Sequence, residues 1–196
     1  NINKKKLIMV LVVSLLVIGL LKYFLVIVLS EKDIAVEKSL QQSIPKEEGI
    51  HLSGCGILNQ TDAIYYLDSD ITTEGNCFVV NAENIVLDCN NHKIENVGIK
   101  EDSSGIISEK HDFTEVKNCV ITGFQQGIYY KSNSQGKITS NVLEGNQEGI
   151  YLWITKDTEV NNNDATNNSD FGIHLRLAED GVLEGNNVES NGYGIY

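Results

Sequence analysis

A ring-bearing side chain recurs at a nearly fixed interval in the C-terminal part of this 196-residue chain. Each ring directly follows a Gly-Ile pair, and the rings belong to Tyr129, Tyr151, His174 and Tyr196. A second set lies two positions later and comprises Lys131, Trp153 and Arg176. Exposed rings can stack on sugar faces while polar groups beside them hydrogen-bond sugar hydroxyls, so these residues are candidates for carbohydrate binding. The alternative is that the rings only stabilise one another along a sheet.

The same stretch contains the nearest approach to a catalytic cluster. His174 and Arg176 flank one leucine, and Asp157 or Asp180 could supply an acid. A glycosidase needs two carboxylates about 5–9.5 Å apart on one face, and a lyase needs a base with carboxylates or calcium. Most acidic residues here lie at turns, where Asp is common for backbone reasons. The sequence therefore favours a non-catalytic surface module that binds carbohydrate or contacts the cell surface. One alternative is a lyase or glycoside hydrolase whose site lies partly outside this segment, and another is a structural stalk or adhesin scaffold.

The elements that position these residues follow from the spacing. The Gly-Ile pairs begin at Gly105, Gly127, Gly149, Gly172 and Gly194, which gives intervals of 22, 22, 23 and 22 residues. Two apolar columns keep the same interval: Val116, Ile138, Val160 and Leu183, and Ile121, Leu143, Ala165 and Val188. A constant period with apolar residues in fixed phase predicts a solenoid, in which each repeat packs against its neighbours.

The local period indicates which solenoid this is. Ile150, Leu152 and Ile154 alternate with polar or aromatic residues, as do Ile173, Leu175 and Leu177, and alternation is typical of strands. Leucine-rich repeats share the 22-residue period, but they contain a helical segment in each repeat. The pattern favours three short strands per turn, which predicts an all-β parallel β-helix of about five regular coils.

Asparagine also recurs in phase with the repeat. One column contains Asn118, Asn141, Asn163 and Asn186, and a second contains Asn146, Asn168 and Asn191. Asn tolerates left-handed backbone at turns, and its amide can bond the next coil about 4.8 Å away. We interpret these columns as structural asparagine ladders.

The N-terminus carries a membrane signal. Lys4, Lys5 and Lys6 precede an apolar run from Leu7 to Leu29, long enough for a bilayer that needs about 20 residues. The positive-inside rule predicts a cytoplasmic tail over 1–6, a transmembrane signal anchor over 7–29 and an extracytoplasmic remainder. A cleaved signal peptide is the alternative, but its apolar core is usually about 7–15 residues long and precedes a small-residue site.

The rest of the chain divides by composition. Residues 30–53 are polar and contain the only proline of the sequence, which predicts a linker. Residues 54–97 contain short apolar runs without the Gly-Ile interval, which indicates an N-terminal cap and first coils. Residues 98–196 are predicted to form the regular coils. A loop of extra length at 97–104 lies at the start of this region, before the first Gly-Ile pair. Because the last repeat is incomplete, we expect truncation at the C-terminus.

The cysteines indicate an oxidising compartment. Cys55 and Cys77 are 22 residues apart, about one coil, and Cys89 and Cys119 are about one coil apart once the loop is discounted. Two disulfides are the favoured interpretation, with two buried thiols as the alternative for the second pair. No C-x-x-C occurs and only His92 lies near enough to help, so no metal site is expected, and calcium has no motif.

Charge and sequons add two further expectations. The net charge of −12 and the isoelectric point of about 4.7 exclude a basic nucleic-acid footprint. Asn59 and Asn167 begin N-x-[ST] sequons and are candidate glycosylation sites.

Taken together, these runs carry a family resemblance over residues 55–196. The segment from Ile85 to Ile94, the segment from Lys117 to Phe124 and the Gly-Ile-Tyr repeats resemble right-handed parallel β-helix proteins of the pectin-lyase-like superfamily, especially surface-anchored forms. The resemblance implies a right-handed solenoid. It does not imply one function, since that superfamily includes lyases, hydrolases, epimerases, adhesins and copper-site accessory proteins. The Asp-Asp, Gly-His-Gly and Arg-x-Lys blocks of its polygalacturonase-like members are absent.

Overall fold

Nineteen short parallel strands wind into a right-handed β-solenoid of about six coils in the computed structural model, which describes residues 49–196. Each coil contains roughly 22 residues and contributes strands to three sheets in turn.

The first sheet contains β1 (Ile50–Leu52), β3 (Ile64–Leu67), β6 (Val86–Asp88), β9 (Glu115–Lys117), β12 (Lys137–Thr139), β15 (Glu159–Asn161) and β18 (Val182–Glu184). The second contains β4 (Ile71–Thr73), β7 (Lys93–Asn96), β10 (Val120–Thr122), β13 (Val142–Glu144) and β16 (Asp164–Thr166). The third contains β2 (Gly56–Leu58), β5 (Phe78–Val80), β8 (Ser104–Glu109), β11 (Gln126–Lys131), β14 (Glu148–Trp153), β17 (Phe171–Arg176) and β19 (Tyr193–Ile195).

The predicted cytoplasmic tail, transmembrane segment and most of the linker lie outside the described residues. No helix within residues 49–196 is long and apolar enough to cross a membrane. The solenoid begins earlier than the composition indicated, because β1 lies inside the stretch assigned to the linker and pairs with β3. Residues 54–97 contribute strands to all three sheets, which explains why there are about six coils and not five.

The predicted apolar columns form the core. Val116, Ile138 and Val160 are in register in the first sheet, and Ile121, Leu143 and Ala165 are in register in the second; all six are fully buried. The isoleucines of the Gly-Ile pairs supply the third wall of this core, with Ile106, Ile128, Ile150 and Ile173 fully buried. The parallel β-helix prediction is therefore confirmed for the described part of the chain.

The glycine of each Gly-Ile pair is required by close backbone approach. Gly127 and Gly149 face inward, and a Cβ on either would lie 2.6 Å from the carbonyl oxygen of the corresponding glycine in the next coil. Neither is among the glycines with positive φ, so space and not backbone conformation excludes a larger residue. A side chain at either glycine would therefore clash with the backbone of the next coil.

Two buried asparagine ladders run along the axis, as predicted. Asn141 Nδ2 donates to Asn163 Oδ1 at 2.9 Å, and Asn163 Nδ2 donates to Asn186 Oδ1 at 3.0 Å. In the second ladder the backbone N–H of Asn146 donates to Asn168 Oδ1 at 3.0 Å, and Asn168 Nδ2 donates to Asn191 Oδ1 at 3.1 Å. Each ladder amide also donates to a backbone carbonyl, so buried polar groups at two corners are paired.

One member of the predicted ladder is placed wrongly. Asn118 has φ 54° and lies one residue before the ladder column, which Cys119 occupies and joins by donating its N–H to Asn141 Oδ1. Ser140, Asn162 and Gly185 also have positive φ and precede the ladder residues of later coils. Each corner thus needs a left-handed residue and then an inward amide, and Asn suits both positions.

The predicted strands are also too long at one end. Ile154 and Leu177 were expected to point inward by alternation, but β14 and β17 end one residue earlier. Both residues have positive φ and are exposed, because the chain turns there toward the first sheet.

Both predicted disulfides are present. Cys55–Cys77 joins neighbouring coils beside the third sheet, and Cys89–Cys119 joins neighbouring coils beside the first, with Cα–Cα distances of 4.5 and 4.7 Å. The described residues contain no free cysteine. The pairing agrees with an oxidising compartment.

Replacing Asn163 with Ala should destabilise the solenoid by about 2–4 kcal/mol, because the backbone N–H of Asn141 and the carbonyl of Ile138 would be buried without partners. The measurement is urea unfolding followed by circular dichroism. Asn162→Gly is the matched control, since Asn162 is exposed and already left-handed, and its change should stay within about 0.5–1 kcal/mol. Equal losses in both variants would contradict a stabilising role for the ladder.

Candidate functional site

The outer face of the third sheet carries the residues that the sequence singled out. Strand register places Tyr129 beside Tyr151 and Tyr151 beside His174, while the preceding isoleucines point into the core. The same register places Lys131, Trp153 and Arg176 in a second outer row. The alternation that predicted outward rings is therefore followed along these strands.

The rings stack on one another. The ring centroids of Tyr129 and Tyr151 are 5.1 Å apart with planes 10° from parallel, and those of Tyr151 and His174 are 4.5 Å apart with planes 17° from parallel. Tyr196 meets His174 nearly edge-on at 5.7 Å. Tyr151 thus has both faces covered, so it cannot stack flat on a sugar, and only ring edges and hydroxyl groups remain available. This arrangement is the self-stabilising column that the sequence left as the alternative.

Trp153 is held between two cations. Lys131 Nζ lies 5.1 Å and Arg176 Cζ lies 5.4 Å from its ring centroid, within the range of cation–π attraction. Lys131 also pairs with Glu109 at 2.7 Å, and this hydrogen bond lowers the pKa of the Glu109 carboxyl. The indole edge, not its face, is presented outward.

The catalytic cluster considered from the sequence is not assembled. Asp157 and Asp180 lie in the turns after β14 and β17, with positive φ, and neither is among the side-chain partners of His174. His174 Nδ1 instead lies 3.0 Å from Glu148 Oε1, and the two side chains are 16% and 12% exposed. Sequence reasoning grouped Glu148 with the turn carboxylates. Glu148 lies two residues before the inward-facing Ile150, and this spacing indicates that Glu148 belongs to strand β14.

A shallow groove of about 350 Å³ runs beside the aromatic column. One wall is formed by ring edges and the other by polar side chains from three different coils. The lining residues are Asn76, Asp102, Ser104, Ile107, Gln125, Gln126, Tyr129, Tyr151 and Trp153. Sequence reasoning found the three rings but not the polar wall. Asn76, Ser104 and Gln126 share one repeat position but differ in residue type, so the sequence shows no recurring residue there.

One residue of the polar wall, Asp102, belongs to the loop of extra length, which covers residues 97–103 between β7 and β8. Buried Asn96 fixes this loop, since its Nδ2 donates to Ile99 O at 3.1 Å and its Oδ1 accepts from the Gly98 N–H at 2.9 Å. The loop places Asp102 at the groove. The insertion is therefore a structural element of the candidate site.

Three amide side chains in the groove are each held by a hydrogen bond that the amide oxygen accepts. Asn76 Oδ1 accepts from the Ser104 N–H at 2.7 Å, and Gln125 Oε1 accepts from the Asp102 N–H at 2.9 Å. Gln126 Oε1 accepts from Ser104 Oγ at 3.2 Å. Because no partner within residues 49–196 bonds the three amide NH₂ groups, each can donate to a ligand beside the Asp102 carboxylate.

Burial raises the pKa of Tyr129 to about 12, with smaller contributions from the negative charges of Tyr151, Glu109 and Glu148. The Tyr129 hydroxyl therefore stays protonated at neutral pH and remains a hydrogen-bond donor at the groove. Burial likewise raises the pKa of Tyr130, whose hydroxyl donates inside the core to Thr114 O.

Metal ligands are dispersed over the solenoid. All four cysteines are in disulfides, and His51 and His92 each pair with a single aspartate, Asp68 and Asp70. No three His, Cys, Asp or Glu side chains in the described part of the chain come together as metal ligands.

The comparison with protein families decides the family of the chain. Residues 29–196 match the sequence profile of the family described as periplasmic copper-binding protein (NosD). The chain belongs to the NosD family. No curated protein matches this NosD-family chain in sequence. Among solved structures, it is similar to the Azotobacter vinelandii mannuronan C-5 epimerase AlgE6 A-module, with 17% identity and a TM-score of 0.41. That match covers 76% of this chain and 55% of the epimerase module, so the chain spans about half the length of the relative.

The raised pKa of Tyr129 predicts a loss of stability in alkali. The unfolded state releases the proton near the ordinary value of 10.0, whereas the folded state holds it to about 12. The stabilisation from Tyr129 is therefore complete below pH 10.0 and is lost as the pH rises toward 12. Tyr129→Phe should reduce this alkaline loss in urea unfolding between about pH 9 and 11. Tyr193→Phe, at an exposed ring, is the control, and equal pH profiles for all three proteins would contradict the assignment.

Proposed function

We propose that this chain is an extracytoplasmic β-solenoid module that binds carbohydrate at the groove without catalysing a reaction there. The observation that supports the proposal is one concave surface with free amide donors, the Asp102 carboxylate and the edges of three aromatic rings. Sugar hydroxyls both donate and accept hydrogen bonds, and the C–H faces of sugars pack against aromatic edges. This wall composition matches that chemistry.

The size of the groove sets the length of glycan that it could hold. Ligand pockets in proteins usually enclose about 300–1,000 Å³, and this groove is at the lower end of that range. It is an open concavity on a sheet face, which suits a short segment of a longer polysaccharide lying across the coils. The ring edges would contact such a segment on one side and the amides on the other.

The proposed location has two supports. The disulfides Cys55–Cys77 and Cys89–Cys119 are typical of an oxidising compartment, and the matching family is described as periplasmic. We further propose that the apolar run from Leu7 to Leu29 anchors the chain, with its N-terminus in the cytoplasm and the solenoid outside. The sequons at Asn59 and Asn167 remain predictions; Asn167 Nδ2 donates to Glu144 Oε1 at 3.0 Å, and a glycan there would replace that bond.

A non-catalytic role fits the carboxylates better than the enzyme alternative. The groove contains one carboxylate, Asp102, whereas glycosidases use two on one face. The Glu148–His174 pair is mostly covered by the stacked rings of Tyr151 and Phe171. Neither arrangement places an acid and a base on opposite sides of a bound sugar.

Copper does not fit the residues that the structure describes, although the family description names it. Copper prefers imidazole and sulfur ligands. The cysteine sulfurs here are in disulfides, the single methionine, Met9, lies outside residues 49–196, and the described part has no group of three ligands. No role for copper is therefore proposed.

Replacing Trp153 with Ala should weaken glycan binding by about tenfold or more, because it removes one wall of the groove, and tenfold corresponds to about 1.4 kcal/mol. The measurement is a glycan array to find a ligand, followed by calorimetric titration of each variant. Tyr193→Ala is the matched control, since that ring is exposed on the same sheet but does not line the groove. Unchanged binding in Trp153→Ala would contradict the assigned site, and release of reducing ends or unsaturated sugars would contradict the non-catalytic role.

A further inference from the structure

Three large apolar residues occupy backbone positions that otherwise hold mainly small or polar ones. Among the described non-glycine residues with positive φ, Phe113, Ile154 and Leu177 are the large hydrophobic ones, with φ of 57°, 55° and 54°. They are 48%, 47% and 70% exposed. All three lie at one corner of the solenoid, in the turns from the third sheet to the first. We call these three residues the apolar corner.

The fold does not require apolar residues at this corner. The equivalent position to Ile154 and Leu177 holds Lys110 and Ser132 in other coils, and the position of Phe113 holds Asn84, Gln135 or an aspartate. Left-handed backbone is unfavourable for β-branched and bulky residues, and exposed side chains gain no compensating burial. Strained residues that a polar residue could replace are candidates for function.

The surroundings of the apolar corner have the composition of a membrane interface. Trp153 directly precedes Ile154, Arg176 directly precedes Leu177, and Lys131 and Arg176 cover the two faces of the indole. Trp together with Lys or Arg beside aliphatic residues is the combination that binds at the boundary between headgroups and acyl chains. We propose that the apolar corner docks on the lipid bilayer to which the chain is anchored, an inference that rests on the anchor proposed above.

The length of chain between the anchor and the solenoid permits this contact. Twenty residues, 30–49, separate the end of the apolar run from β1, and a fully extended chain of that length reaches up to about 70 Å. Ile154 leads into β15, which lies five strand spacings from β1 in the first sheet, or about 24 Å. A solenoid lying along the membrane would therefore bring the apolar corner to its surface.

Charge predicts which lipid is preferred. Asp157, Glu179 and Asp180 lie in the same turns as the apolar corner, and the whole chain carries −12. Lys110 and Lys156 offset this negative charge only in part, so an anionic surface would repel these turns. A zwitterionic headgroup has no net charge and offers phosphate to Arg176, whereas Lys131 is already paired with Glu109. Docking should therefore be stronger on phosphatidylcholine vesicles than on vesicles enriched in phosphatidylserine.

Trp153 provides a direct reporter, because it is the only tryptophan in the chain. The full chain would be reconstituted into phosphatidylcholine vesicles whose acyl chains are brominated, since bromine quenches indole only at short range. We expect Trp153 emission to be quenched relative to unbrominated vesicles. The double variant Ile154→Asn with Leu177→Asn should lose this quenching while its melting temperature stays equal or rises, because Asn suits left-handed backbone.

Ile99→Asn is the matched control, since Ile99 is 73% exposed in the loop on another corner, and this variant should keep the quenching. Wild-type emission that is not quenched, or equal quenching in the double variant, overturns docking. A dimer in ultracentrifugation that the double variant abolishes, with Trp153 unquenched, would assign the corner to contact between copies and also overturn docking. Flotation with the vesicles reports the anchor separately: flotation without quenching overturns docking alone, and failure to float overturns both proposals.

Discussion

Register between successive coils is the constraint on which the rest of this structure depends. Parallel strands bond each coil to the next, and in the later coils two buried asparagine ladders do so as well. A slip of one residue would therefore leave amides such as Asn141 and Asn163 buried without partners. Because successive coils are in register, equivalent residues of neighbouring coils lie about 4.8 Å apart. This spacing forces Tyr129, Tyr151 and His174 to stack and brings Lys131 and Arg176 onto Trp153.

Because the repeat places rings at equivalent positions of successive coils, the outer face of the third sheet is poorly suited to stacking on a ligand. A column of identical phase covers its own ring faces, which leaves only edges for a ligand. The candidate binding residues instead lie where the sequence departs from the repeat. The loop at 97–103 adds Asp102 to the groove, and the apolar corner replaces polar turn residues with Ile154 and Leu177. In this protein the repeat provides the scaffold and the departures from it provide the candidate surfaces.

The same distinction explains what the sequence could predict. Constant spacing identified the solenoid, the inward isoleucines and both disulfides, because each depends only on phase. It misplaced Asn118, since Asn suits both the left-handed corner and the ladder and intervals of 22 and 23 residues both occur. It extended the strands to Ile154 because alternation does not show where a corner begins. The Glu148–His174 pair joins two different repeat positions, which no periodic pattern records. The amide wall uses a position that holds Asn76, Ser104 and Gln126 in successive coils, so no single residue type recurs there.

Sugar binding beside the aromatic column, at the polar wall, can be observed residue by residue. Nuclear magnetic resonance of the isotopically labelled chain, titrated with a glycan selected from an array, tests it most directly. If the groove binds the glycan, the side-chain amide signals of Asn76, Gln125 and Gln126 will shift together with the Trp153 indole N–H, while the ladder amides of Asn146 and Asn168 will not. Shifts confined to another face, or shifts absent from all three groove amides at saturation, would contradict it.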